Sequence, residues 1–218
     1  MKNNLRRHGD CELDLCGEEL LLLPEKAIFW QEKSYLMLSD LHLGKARHFQ
    51  KNGYPVPDGG KNLQVLSKLM QHFQPKKVIF LGDLFHSTYN ESIDQLVQFM
   101  QAHPARYELV VGNHDILDEA HYDRLNMEMT HGHREEGPFC LCHEPMTSAD
   151  AYVLSGHIHP GVRLQGRGRQ KLRLPCYFFG KNQGILPAFG SFTGLHVLEP
   201  LAQDQVFVVL EEEVCQVS

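Results

Sequence analysis

Five short apolar runs in this sequence each end on residues able to hold a metal ion. Residues 35–39 (YLMLS) lead into Asp40-Leu41-His42, 77–81 (KVIFL) into Gly82-Asp83, and 107–111 (YELVV) into Gly112-Asn113-His114-Asp115. Residues 139–142 (FCLC) lead into His143, and 151–155 (AYVLS) into Gly156-His157-Ile158-His159. Asp40, His42, Asp83, Asn113, His143, His157 and His159 therefore offer two carboxylates, one amide and four imidazoles. Without a thiolate, this hard-to-borderline set suits Mn²⁺, Fe or Zn²⁺ better than a cysteine-rich structural zinc site. Seven donors exceed what one ion needs. If Asp83 bridges, the other six divide into two groups of three, as two ions roughly 3.5–4 Å apart require. Two divalent ions acidify water and screen phosphoryl charge, so hydrolysis of a phosphoester at such a centre needs no protein nucleophile. His114, beside Asn113 but outside the donor set, is placed to protonate a leaving oxygen or to stabilise equatorial charge, and Asp115 is expected to orient it.

Other residues are candidates for touching substrate. His86 follows Asp83 by three positions, with a packed turn as the competing reading. Lys45 and Arg47 open the segment after the first donor pair; a solvated helix face explains them equally well. Arg169, Lys171 and Arg173 recur at every second position, with Leu172 and Leu174 on the opposite side, which puts three cations on one face of an expected strand beginning ten residues after His159. That face is either a phosphate-backbone track or a solvated outer surface. Tyr177, Phe178 and Phe179 could stack on bases, although a run of three aromatics more often anchors a core. His131 and His133 imitate a metal motif, but the donor set is complete without them.

The elements that must position these residues are short. The five runs read as buried strands. Between the first two, residues 58–73 carry Leu63, Leu66, Leu69, Met70 and Phe73 at helical spacing, ended by Gln74-Pro75; a second helix is expected over 91–102, before Pro104. Strands alternating with helices predict a layered α/β fold, and in such sheets the carboxyl ends of neighbouring strands converge on one crevice. From residue 160 onward Gly and Pro punctuate short runs, including 194–199 and 206–211, which read as antiparallel strands; residues 11–30 read as short strands around Gly17 and Pro24.

At 218 residues, with 42% hydrophobic and 22% charged positions, a single domain over residues 1–218 is expected. Neither a signal peptide nor a membrane span is visible, which points to the cytoplasm. The six cysteines form no C-x-x-C pair and are expected to be free thiols. The net charge of −6 argues against a protein that wraps nucleic acid over its whole surface. Between Ala151 and Leu198, however, there is no Asp or Glu, while Arg163, Arg167, Arg169, Lys171, Arg173 and Lys181 make that segment cationic.

In order and spacing, Asp40-x-His42, Gly82-Asp83, Gly112-Asn113-His114-Asp115, His143 and Gly156-His157-x-His159 resemble the calcineurin-like metallophosphoesterase signature over roughly residues 35 to 160. The resemblance implies a two-sheet β-sandwich flanked by helices in a four-layer α/β/β/α arrangement. It also implies two divalent metal ions, with Mn²⁺ the leading choice: one held by Asp40, His42, Asp83 and His159, the other by Asp83, Asn113, His143 and His157. The strings Ser39-Asp-Leu-His-Leu-Gly-Lys45, Gly82-Asp-Leu-Phe-His-Ser87 and Leu174-Pro-Cys-Tyr177 are similar to a narrower bacterial branch, the ligase-associated DNA damage response endonucleases (PdeM-like). That branch implies a nuclease or phosphodiesterase acting on nucleic acid in DNA repair, beside a DNA ligase and a helicase. The same centre could serve a phosphomonoesterase, including a protein or nucleotide phosphatase. A non-catalytic scaffold of this fold would be expected to lack ligands or His114, and this chain lacks none of them.

Overall fold

Alternation within the buried runs decides which residues face which layer. The computed structural model describes residues 5–45, 60–86, 92–165, 170–191 and 193–218, and Arg47, Arg169 and the expected helix starts at Asp58 and Glu91 lie outside them. A first sheet has the order β1 (Cys11–Leu15), β2 (Glu18–Leu22), β3 (Ile28–Trp30), β4 (Tyr35–Leu38), β5 (Lys77–Leu81), β6 (Arg106–Val110) and β7 (Glu128–Thr130). The strands from β4 to β7 run parallel. Parallel strands are covered on both faces, which is why these stretches read as nearly unbroken apolar runs. Leu36, Leu38, Val78, Phe80 and Leu109 face one side, where α1 (Gly60–Phe73) and α2 (Ser92–Ala102) deliver Leu66, Leu69, Phe73, Ile93 and Leu96. Tyr122 of the short α3 (Glu119–Asp123) joins the same cluster.

Met37, Ile79, Leu81 and Val110 face the other way, onto a second sheet. That sheet follows the path β14 (His196–Val197), β11 (Pro160–Gln165), β12 (Lys171–Phe179), β13 (Gln183–Ile185), β10 (Tyr152–Ser155), β9 (Phe139–Cys142) and β8 (His133–Glu136). β15 (Gln205–Val209) pairs with β12, and β16 (Val214–Gln216) with β15. The inter-sheet core takes Phe139, Leu141, Leu154, Tyr177, Phe179 and Phe207 from this side. Tyr177 is fully buried, its hydroxyl 2.7 Å from the Leu23 carbonyl and 2.8 Å from that of Ala27, so it ties the sheets together and is not a base-stacking surface.

The expected two-sheet sandwich with flanking helices is present, and two expectations change in detail. All three described helices contribute to one cluster on the outer face of the first sheet. Among the described residues the outer face of the second sheet carries two small apolar clusters, one of Val162, Cys176, Val206 and Val208 and one of Cys140, Cys142 and Val153, because the hairpins after residue 160 have no amphipathic run long enough for a covering helix. The 194–199 run forms only the two-residue β14, which pairs parallel to β11, not antiparallel.

At the end of the sandwich where β5 begins, Glu108 is completely buried and holds three partners. They are Lys77 Nζ at 3.0 Å, Arg134 Nη1 at 2.8 Å and the Thr130 hydroxyl at 3.1 Å. Lys77 also reaches Glu128, and Arg134 reaches Glu136. Because Arg134 belongs to β8, this network joins the two sheets. All six cysteines are free. No described helix is long and apolar enough to cross a membrane.

Candidate metal centre

At the opposite end, the carboxyl ends of β4, β5, β6, β9 and β10 meet, as the crevice rule for open α/β sheets requires. Asp40, His42, Asp83, His157 and His159 all adopt left-handed backbone, with φ of 55°, 47°, 52°, 65° and 52°. Each such residue bends the chain sharply as it leaves a strand, so the side-chain alternation of the strand stops there and the donors turn inward. The glycines that precede donors have a steric reason. A Cβ on Gly82 would sit 2.2 Å from His143 Nδ1, and one on Gly156 would sit 1.6 Å from Ser39 Oγ and 2.7 Å from Asp40 Oδ2. Donors from the opposite sheet cross directly over these backbones.

The donors form two groups: Asp40, His42 and His159, and Asp83, His143 and His157, with the ligand atoms of each group within 4.8 Å of one another. Asp83 faces both groups. Its Oδ2 lies 3.7 Å from His42 Nε2, and its Oδ1 lies 3.3 Å from His143 Nε2. Asp40 Oδ1 lies 3.1 Å from His159 Nε2. Asn113 Oδ1 and His157 Nδ1 stand 3.0 and 3.1 Å from His143 Nε2. All seven expected donors are thus assembled.

Hydrogen-bond accounting shows that these donors fit a cation. His143 Nδ1 is 2.9 Å from the Leu81 carbonyl, which can only accept, so Nδ1 carries a proton and Nε2 is the ring nitrogen that faces the site. Nε2 is turned toward the oxygens of Asp83 and Asn113 and Nδ1 of His157, and a cation among these atoms would satisfy them together. Asp40 Oδ1 and His42 Nδ1 are buried without a hydrogen-bond partner. Burial and the Lys45 charge push the His42 imidazolium down to about 3, against the pull of Asp40, so the His42 ring stays neutral with a lone pair available. Burial alone would raise the Asp40 carboxyl, but the contacts from His159 and Ser39 hold it below the usual carboxylate range.

Asp115 does not do what was expected of it. Instead of orienting His114, its Oδ2 accepts the backbone N–H groups of Asp83 and Gly112, both at 2.8 Å, while Oδ1 accepts those of Leu84 at 2.9 Å and Phe85 at 3.3 Å. It clamps the turn carrying Asp83 to the turn carrying Asn113. Burial and the charge of Asp83 push its carboxyl up to about 6, against the N–H donors of Gly112, Phe85 and Asp83. His114 is exposed; its backbone N–H donates to Asp83 Oδ1 at 3.0 Å, and its ring centroid lies 5.6 Å from that of His42. His86 is held by its N–H to the Leu43 carbonyl, with its ring 5.6 Å from His42 and 6.0 Å from His114. Lys45 is half-buried. Its pKa is lowered by burial, which the charges of Asp40 and Asp83 oppose.

Lys171 and Arg173 lie on β12 with exposed side chains, outside the donor cluster, and His131 and His133 are exposed on the β7–β8 connection and in β8. Sequence reasoning missed Ser39, whose hydroxyl lies 2.5 Å from Asp40 Oδ2 and 2.9 Å from the Leu81 carbonyl. A small polar residue immediately before the first donor was the available signal.

The family model for the calcineurin-like phosphoesterase domain matches residues 34–159, a segment that contains all seven donors. Among solved structures, the chain is similar to the Pseudomonas putida nuclease MPE, with 27% identity over 95% of this chain and 100% of that one and a TM-score of 0.81. A protein of unknown function from Aquifex aeolicus, AQ665, shares 21% identity over 57% of this chain and 78% of its own, with a TM-score of 0.44. Yfce, a phosphoesterase from E. coli, shares 15% identity over 84% of this chain and 97% of its own, with a TM-score of 0.45. No curated protein matches the chain.

Proposed function

Because this chain belongs to the calcineurin-like phosphoesterase family, we propose that it is a dinuclear metal-dependent phosphodiesterase that cleaves nucleic acid, with Mn²⁺ as its metal. The observation that carries this reading is the position of Asp83, whose two oxygens face the two donor groups separately. Asp40, His42, Asp83 and His159 would hold one ion, and Asp83, Asn113, His143 and His157 the other. Bound there, the ions supply Lewis-acid activation of water and charge screening at phosphorus. The oxygen and imidazole donors, free of thiolate, support Mn²⁺, with Fe and Zn²⁺ as the comparison metals. The nucleic-acid substrate is supported by the likeness to a nuclease along nearly the whole chain. A place in DNA repair beside a DNA ligase and a helicase rests on the motif strings alone, and a cytoplasmic location on the sequence reading that finds no signal peptide or membrane span.

The chain's own residues divide the remaining work. His114, exposed at the rim and fixed through its N–H to Asp83, gives a proton to the leaving oxygen. Asp115 is a positioning residue that locks the two turns. Lys45, close enough for Asp40 and Asp83 to influence its pKa, lies where a substrate phosphate oxygen would approach. His114→Ala is expected to retain its metals and to lose about 10²–10⁴-fold in turnover on esters with poor leaving groups. The loss should shrink for nitrophenyl esters, whose leaving group needs no proton. Full activity of the variant on the poor leaving groups removes His114 from the mechanism.

The function itself is tested by side-by-side turnover of the Mn²⁺-reconstituted protein on a small diester, a small monoester, single-stranded DNA and duplex DNA. The diester and at least one DNA are expected to be cleaved faster than the monoester. Preference for the monoester overturns the phosphodiesterase reading.

A further inference from the structure

Directly after His159 the chain enters β11 and returns in β12. The outer half of this hairpin, 162–165 against 171–174, has no third strand beside it among the described residues. One face of the two-stranded ribbon is apolar, with Val162, Leu164 and Leu174 packed around Cys176, Val206 and Val208. The other face is cationic. The register sets Arg163 directly across from Arg173, and Gln165 across from Lys171, all four exposed. Alternation along β12 puts Lys171 and Arg173 on the same face as Tyr177 and Phe179, the face turned toward the first sheet.

This arrangement is unfavourable in the free protein. Like charges directly opposite one another weaken an antiparallel pair. Among the described residues no carboxylate lies within ion-pair distance of Arg163, Lys171 or Arg173, and the sequence offers no Asp or Glu anywhere between Ala151 and Leu198. On a protein of net charge −6, these three exposed cations have no carboxylate competing for them and offer an external polyanion an uncontested complement. Arg163 lies four residues beyond His159, about 13 Å along the strand, so its cation is set back from the candidate metal ligands. A substrate that continues past the phosphate being cleaved would run along it.

We propose that the cationic face of the β11–β12 ribbon binds backbone phosphates of the nucleic-acid strand that leads into the metal centre. The inference rests on the nuclease reading above. It adds Arg163 to the residues expected from sequence and gives Arg163, Lys171 and Arg173 a sequence-independent grip, since phosphate contacts position a strand without reading its bases.

The test uses the metal-loaded protein and a labelled, cleavage-resistant phosphorothioate oligonucleotide, with binding followed by fluorescence anisotropy against salt. Each phosphate contact contributes about 0.7–0.9 to the slope of log affinity against log salt, so Arg163→Gln/Lys171→Gln/Arg173→Gln should flatten the slope by about 2–3. Between about 50 and 200 mM salt, the wild type then loses roughly twenty- to fortyfold more affinity than the triple variant. Arg163→Glu serves as the second variant: it sets a carboxylate across from Arg173, so the melting temperature holds or rises while binding weakens. Unchanged affinity and slope in both variants overturn the ribbon proposal and leave the nuclease reading standing. A wild type that hydrolyses bis-p-nitrophenyl phosphate but neither binds nor cuts DNA at low salt overturns the nuclease reading, and the ribbon proposal with it.

Discussion

Asp83→Ala is expected to reduce phosphodiester turnover by about a thousandfold or more, because under the proposed dinuclear reading it would cost both ions and several kcal/mol of transition-state charge stabilisation. The size of the effect follows from the place of Asp83 between the two donor groups, with one oxygen 3.7 Å from His42 Nε2 and the other 3.3 Å from His143 Nε2. Any other single ligand serves one group; Asp83 serves both. Its Oδ1 also accepts the His114 N–H, so alanine frees the catalytic loop as well. Asp83→Asn keeps an oxygen for that N–H and separates the two consequences. Metal stoichiometry by elemental analysis should fall from two toward zero in Asp83→Ala, and EDTA should abolish wild-type turnover until Mn²⁺ is restored. Unchanged stoichiometry in both variants, with wild-type rates, would mean that no bridging carboxylate is needed.

The largest effect on stability is expected far from the metals, at Glu108. Its carboxylate is fully buried and compensates Lys77, which is 5% exposed, together with Arg134 from the other sheet. Glu108→Ala leaves a buried ammonium and a half-buried guanidinium facing a cavity, a change that typically costs about 3–5 kcal/mol. Urea denaturation should report that loss with little change in the rate per folded, metal-loaded molecule. Replacing the whole group, as Lys77→Met/Glu108→Leu/Arg134→Leu, should recover most of it, since well-packed apolar substitutes for a buried ionic cluster are often neutral or better. A loss below about 1 kcal/mol for Glu108→Ala would show that water or rearrangement already compensates these charges.

What could be read from the sequence was whatever is enforced locally. The runs 77–81 and 139–142 coincide with β5 and β9, because parallel strands buried on both faces leave an uninterrupted apolar signal. The seven donors were legible because each follows such a strand. β7 and β8 were not, since EMT and HREE are short and partly exposed; β8 forms only a tight hairpin with β9, and β7 is held by pairing with β6, distant in sequence. The clamp formed by Asp115 was hidden for the same reason. A carboxylate two residues after a ligand invites a catalytic reading, and only the folded chain shows four amide N–H groups converging on it. The cationic strand was visible as composition, but the pairing of Arg163 with Arg173 depends on a hairpin register that the sequence pattern leaves open.

The left-handed backbone at Asp40, His42, Asp83, His157 and His159 has an evolutionary consequence. Non-glycine residues in this region each cost about 1 kcal/mol or more, and folding alone would favour glycine at all five positions. Aspartate and histidine are among the few side chains that enter this region with some ease, so the residues able to ligate are also those that the bends tolerate best. A lineage released from selection for turnover would gain stability with each histidine that drifted to glycine, and it would lose its ligands fastest at the bends rather than along the strands. Asn113 and His143, which lack this backbone conformation, would be the last to change.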